Sequence, residues 1–247
     1  IVYIEGFMLQ KMLELRRAVS LNYLLKWNFI GIIVGVIAGV GAIIFYTLLE
    51  YCTELFLGVG AGFFPPKAGT SPDVISWVPP DDPLRLIAVL TLGGLISGFI
   101  VYTFAPEAEG HGTDAAIRSF HREEGRVRAR IPLIKTIASA ITIGSGGSAG
   151  REGPTAQISA GYGSIVANLL KLGPRDRRIA LAVGIGAGIG SIFKAPLGGA
   201  LLSAEILYKR DFEVEALVPG LIASVVGYII FCSYDGYEPV FKFPEVH

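Results

Sequence analysis

Gly150-Arg151-Glu152-Gly153-Pro154 stands between two uncharged runs, Thr136 to Gly150 and Pro154 to Leu170. Each run is shorter than the ~20 apolar residues that carry a helix across a hydrocarbon core of ~30 Å. An Arg and a Glu at membrane depth are expensive, so the pair reads first as a functional feature. The glycines free the backbone for a non-helical approach, and Pro154 suits the first turn of the helix that follows. A helix starting there offers unpaired N–H groups and the positive end of its dipole, which together make an anion site. The Glu152 carboxylate could occupy that site itself and leave it on protonation. The competing reading is a connector with Arg151 and Glu152 in water.

Working outward, three segments are long enough to span a membrane: Phe29 to Leu49, Leu86 to Ala105 and Ala216 to Tyr234. Ile179 to Phe193 and Ala195 to Ala204 are uncharged but short. Such pieces are either buried helices of a soluble core or half-helices that stop inside a membrane under cover of protein. Full-length spans on both sides favour the second, the arrangement transporters use at a binding site. Gly31, Gly35 and Gly39 repeat every fourth residue and predict close helix packing along one face.

Composition agrees. At 52% hydrophobic and 17% charged, the 247 residues are too apolar for an ordinary soluble or disordered chain. Twenty-one basic residues balance 21 acidic ones, so no nucleic-acid partner is implied. Two cysteines, Cys52 and Cys232, and three histidines leave neither a disulfide scaffold nor a zinc cluster. Lys11, Arg16, Arg17 and Lys26 precede the first span, and a second basic stretch runs from Arg118 to Lys135; the loop Glu50 to Pro83 is mainly acidic. By the charge rule the N-terminus and the Arg118–Lys135 stretch are cytoplasmic, with that loop outside. Leu13 to Lys26 reads as a surface-lying helix.

Two more glycine clusters stand out. Gly110-His111-Gly112-Thr113-Asp114 precedes a helix expected over Ala115 to Phe120, with Thr113 or Asp114 as its N-cap. The other, Gly184 to Gly190, is followed by Phe193-Lys194-Ala195-Pro196-Leu197. It lacks the preceding strand and the spaced acidic residue of a dinucleotide fingerprint, and no Walker lysine follows it. Close packing is the better reading, with a short helix beginning at Ala195-Pro196.

Together these stretches resemble the CLC family of chloride channels and chloride/proton antiporters. All five residues of Gly150–Pro154 match the family's pattern. So do Phe193-Lys194-Ala195-Pro196-Leu197 with Glu205 beyond it, and Ala105-Pro106-Glu107-Ala108 before the Gly-x-Gly turn. The resemblance covers roughly Leu24 to the C-terminus. It implies an all-α integral membrane protein with full-length and broken, re-entrant helices, built from two inverted-topology repeats and assembled as a homodimer with one anion pathway per subunit. This chain resembles the first repeat: residues 28–247 form its membrane domain and residues 1–27 an N-terminal interfacial helix. The Gly-x-Phe-x-Pro loop and the pore tyrosine of the second repeat are not found in it. Subunit contact is expected through Ile179–Phe193, Ala195–Leu207 and Ala216–Tyr234.

The resemblance also implies site residues. Glu152 is the gate; His111, Gly112, Thr113, Gly150, Arg151, Glu152 and Gly153 surround the anion. No cofactor or metal is implied: chloride is the transported ligand, with protons as a second one in antiporters. The chain departs from the pattern in two places, the turn around His111 and the residue after Glu205. His111 stands where the family has a serine, and Thr113-Asp114 replaces Ile-Pro. The antiporters' internal proton-transfer glutamate, directly after Glu205, is Ile206 here, which points towards a channel; an antiporter with another proton route is the alternative. An intramembrane enzyme using Glu152 or His111 as acid or base would need a partnered nucleophile or metal ligands, and no such spacing stands out. A purely structural scaffold explains the glycines but leaves the Arg-Glu pair without a purpose.

Overall fold

The computed structural model describes residues 21–63, 65, 82–208 and 211–238. Among them the chain is helical throughout: α1 Leu21–Thr53, α2 Pro83–Phe104, α3 Thr113–Arg122, α4 Arg130–Gly144, α5 Glu152–Leu169, α6 Pro174–Ile192, α7 Pro196–Glu205 and α8 Val214–Asp235. A wider π-helical turn, Glu54–Gly60, continues α1, and a 3₁₀ turn, Pro106–Ala108, follows α2. Three helices, α1, α2 and α8, are long and apolar enough to cross a membrane. Large side chains of α2 such as Leu84, Leu95, Phe99 and Tyr102 are exposed, as a lipid-facing helix requires. The chain is an integral membrane protein.

Small residues decide how the helices meet. Gly31, Gly35 and Gly39 of α1 lie against the carbonyl oxygens of Pro219, Ala223 and Gly227 of α8, where added Cβ atoms would sit 3.0, 2.6 and 2.9 Å from them. Two four-residue stripes thus interlock, the packing that lipid favours because it gives no hydrophobic drive of its own. Pro219 has no N–H and frees the carbonyl of Glu215 within α8; the Tyr23 hydroxyl donates to that oxygen at 2.9 Å.

Several expected boundaries move. The helix α6 begins at Pro174, so Arg175 to Arg178, ahead of the uncharged run Ile179 to Phe193, form its first turn. Every residue from Ile179 to Ile192 is buried within this chain. That segment therefore has no free face for the expected subunit contact, whereas α7 and α8 keep Leu197, Leu201, Leu221 and Ile229 exposed. The helix α4 starts at Arg130, so the basic stretch from Arg118 ends inside a helix that holds Lys135. No break marks residue 27, since α1 runs through it. Residues 1–20, and residues 64 and 66–81 of the expected outer loop, lie outside the described residues.

One end of the bundle gathers the basic residues. There Lys26 of α1 pairs with Asp176 of α6 at 2.5 Å, and Arg175 makes a two-pronged pair with buried Glu215 of α8. Gly125, in the loop after α3, packs on the backbone of Arg177 and Arg178 at the same end. Tracing the packing from that end locates the short helices. The end of α6 at Gly190 and the start of α7 at Gly199 both abut the Ser224 hydroxyl, and Gly227 abuts Ser191. Residues 224–227 are the middle of the 22-residue α8. The ten residues of α7 cover only about 15 Å, so this helix begins halfway through the bundle.

Candidate functional site

The start of α5 lies at the same level. Gly188 of α6, half a turn before Gly190, packs on Ser159 and Thr155 of α5, which places Glu152 about one turn beyond, opposite the centre of α8. Helical bonding in α5 begins with the Thr155 N–H donating to the Arg151 carbonyl at 3.0 Å. Pro154 supplies no N–H. The first turn therefore presents the N–H groups of Glu152 and Gly153 and the positive end of the helix dipole.

Glu152 is exposed, and its carboxylate folds back over Gly150; a Cβ on Gly150 would overlap that carboxylate. Thus the glycine two residues before Glu152 leaves room for its acid group. Arg151 points elsewhere. Its guanidinium sits 5.9 Å from the ring of Tyr46 and 5.7 Å from that of Phe193, and among the described residues no ion pair joins it to Glu152. The sequence places both residues at membrane depth; within this chain Arg151 is half-buried and Glu152 exposed. The arginine ties the start of α5 to the residue that precedes Lys194-Ala195-Pro196, so two mid-depth helix starts are held together. Lys194 runs from that level to Asp235 near the end of α8, 2.9 Å away.

The cluster some forty residues upstream joins the same place. The carbonyl and ring of His111 fill the space where a Gly153 side chain would be, and Gly112 lies against the Gly153 carbonyl. Gly112 holds φ +111°, a conformation open to glycine, and serves as the N-cap of α3 with no side-chain cap. The expected cap by Thr113 or Asp114 is therefore absent: the Thr113 hydroxyl bonds His111 Nδ1 at 3.1 Å, and Asp114 is exposed. The starts of α3 and α5 face one another across Gly112 and Gly153. His111, Gly112, Gly150, Glu152 and Gly153 come together; Thr113 joins through His111, and Arg151 stands to one side.

Two residues that the sequence reading passed over hold this junction. Lys135 is 3% exposed and donates from Nζ to the carbonyls of Ala108 and Gly110, at 2.8 and 2.6 Å. Gln157 of α5 donates to the Glu107 carbonyl at 2.8 Å. Both grip the 3₁₀ turn that leads into His111. The signal for Lys135 was present, because a lone lysine within the apolar run Ile131 to Ile143 is itself a functional hypothesis. Ile206 ends α7 half-buried against the main apolar core, and Glu205 beside it is exposed. Cys52 and Cys232 are buried free thiols in one apolar cluster. Among the described residues no group of three acidic, histidine or cysteine side chains is placed to hold a metal.

Comparison with known proteins shows what the chain as a whole is similar to. The family model described as voltage gated chloride channel matches residues 93–247. An uncharacterized protein of Methanocaldococcus jannaschii is 32% identical over 219 residues, covering 89% of this chain and 47% of its own length. Chloride channel protein CLC-e of Arabidopsis thaliana is 28% identical over 228 residues, 86% of this chain and 29% of its own. Among solved structures, that of a CLC-type fluoride/proton antiporter superposes with a TM-score of 0.72 at 20% identity, over 93% of this chain and 52% of that one. The chain spans about half the length, or less, of the relatives it matches.

Proposed function

Because the chain belongs to the voltage gated chloride channel family, we propose that it forms half of a transmembrane anion pathway, with chloride the favoured ion and Glu152 the gate. One observation carries the reading: a carboxylate lies on the first turn of a helix that starts at mid-depth, beside orphan N–H groups that favour negative charge. An ionised Glu152 competes with a mobile anion for those donors. Protonation removes the competitor. His111, Gly112 and the start of α3 line the second side of the passage, with the histidine N–H as a possible donor to the anion in place of a serine hydroxyl.

The relatives' names include both a channel and a proton-coupled antiporter. We favour a channel, on the ground that Ile206 cannot relay a proton. The basic end of the bundle, with Lys26 and the loop after α3, is the cytoplasmic one in this reading. The exposed apolar residues of α7 and α8 suit contact with a second subunit, and none of the relatives described above is named as an enzyme.

The test is flux from vesicles reconstituted with the full-length protein. Under a chloride gradient with potassium and valinomycin to carry countercharge, chloride efflux is expected without stoichiometric proton uptake. Efflux strictly accompanied by protons would replace the channel by an antiporter. No anion movement of either kind would remove the proposal.

A further inference from the structure

At the basic end of the bundle, a cavity of about 680 Å³ opens between α3, the loop that follows it, and the junction of α5 with α6. Glu152 and His111 are not among its lining residues, though Glu107 and Gln157, which hold the turn before His111, are. Its wall carries five cationic side chains: Arg118, Arg126, Arg128, Lys171 and Arg177. Two carboxylates oppose them. Glu107 is already paired with Arg128, and Glu123 accepts from the Ser119 hydroxyl at 3.0 Å.

Arg177 is the informative member. It is 6% exposed, its Nε is buried with no partner, and its one hydrogen bond, from Nη2 to the Leu172 carbonyl, is long at 3.5 Å. A buried guanidinium with donors to spare is costly unless something accepts from it. The surroundings are firmly built. The buried Ser164 hydroxyl donates to the Gly125 carbonyl at 2.8 Å and accepts from the Val127 N–H at 2.9 Å, pinning the loop. Lys171 is held at φ +53°, where a glycine is usual, by turn bonds closing the end of α5. Among the described residues neither Lys171 nor Arg118 is in an ion pair.

We propose that this cavity binds a phosphorylated group carrying two or more negative charges, such as a phosphomonoester or a pyrophosphate. Guanidinium forks match phosphate oxygens in pairs, and several of them around one cavity suit a multiply charged tetrahedral anion better than a halide. The volume lies in the range of small-molecule sites and is far larger than one chloride needs. The group can come from a soluble phosphate ester or from a phosphomonoester lipid headgroup, since the cavity sits at an end of the bundle.

The experiment uses full-length protein in phosphatidylcholine nanodiscs, titrated with inorganic pyrophosphate by calorimetry. A second arm places phosphatidic acid in the nanodisc and measures retained lipid by native mass spectrometry. Arg118→Gln/Lys171→Gln, which alters exposed groups only, and Arg177→Lys are run in both arms. Saturable pyrophosphate binding, weakened at least tenfold in the double variant, supports the site with a soluble ligand. Selective retention of phosphatidic acid, lost in the double variant without pyrophosphate binding, supports it with a lipid. Absence of both, or binding equal in wild type and double variant, overturns the proposal. Anion flux through the double variant without added ligand is expected to equal wild type, so failure of this site and failure of the anion pathway are separate results.

Discussion

Lys135 brings a cation into an apolar helix, and what it holds there is backbone. Its ammonium is bound to the carbonyls of Ala108 and Gly110, one residue short of His111. Lys135→Met keeps the stem and removes both charge-assisted bonds, each worth about 1.5–3 kcal/mol. The full-length variant should melt several degrees lower, and its anion flux should fall severalfold as the His111 loop loosens. Wild-type flux and melting would show that the clamp does not support the site. Gly153→Ala tests the junction itself, because its Cβ would enter the space of the His111 ring. Flux should drop sharply. Gly94→Ala, with nothing within 4 Å of its Cβ, should leave flux unchanged and is the control. The motif around Glu152 could be read from the chain, because charge and glycine in an apolar run are local signals. Its nearness to His111 came only through the family resemblance, since nothing local couples residues forty positions apart.

Among elements, apolar character was legible: the three expected spans appear, α2 and α8 close to their uncharged cores and α1 extended at both ends to Leu21 and Thr53. Starts were less so. The charged residues Arg175 to Arg178 precede the uncharged run, yet Pro174 at the first helical position and Asp176 in the first turn open α6 there. The cap of α3 was missed because it rests on a backbone angle at Gly112, not on a side chain. The interlock of α1 with α8 offers a sharper test. Tyr23→Phe removes the donor to the Glu215 carbonyl that Pro219 leaves free, at a cost of about 1 kcal/mol. Pro219→Ala returns an N–H to that carbonyl within the helix. The loss from Tyr23→Phe should therefore shrink when Pro219→Ala is present, as read from a double-mutant cycle of unfolding in detergent. Full additivity would mean that the tyrosine does not compensate for the proline.

For the whole molecule, the starts of α3 and α5 meet across Gly112 and Gly153, Arg151 links that level to Phe193 just before α7, and the carboxylate of Glu152 lies exposed beside them. With the chain spanning about half of its relatives, the rest of the passage lining is expected from outside it, and residues 1–247 alone, in vesicles, should conduct nothing. Whether Glu152 gates an anion path is best measured by chloride flux through the full-length protein as external pH is lowered, in wild type and in Glu152→Gln. Glutamine keeps the size of the side chain and removes its charge, so it imitates the protonated acid. Wild-type flux should rise as pH falls. Glu152→Gln should conduct at or above the acid level of wild type at every pH and carry no coupled protons. A Glu152→Gln protein with wild-type flux and an unaltered pH response would contradict the account.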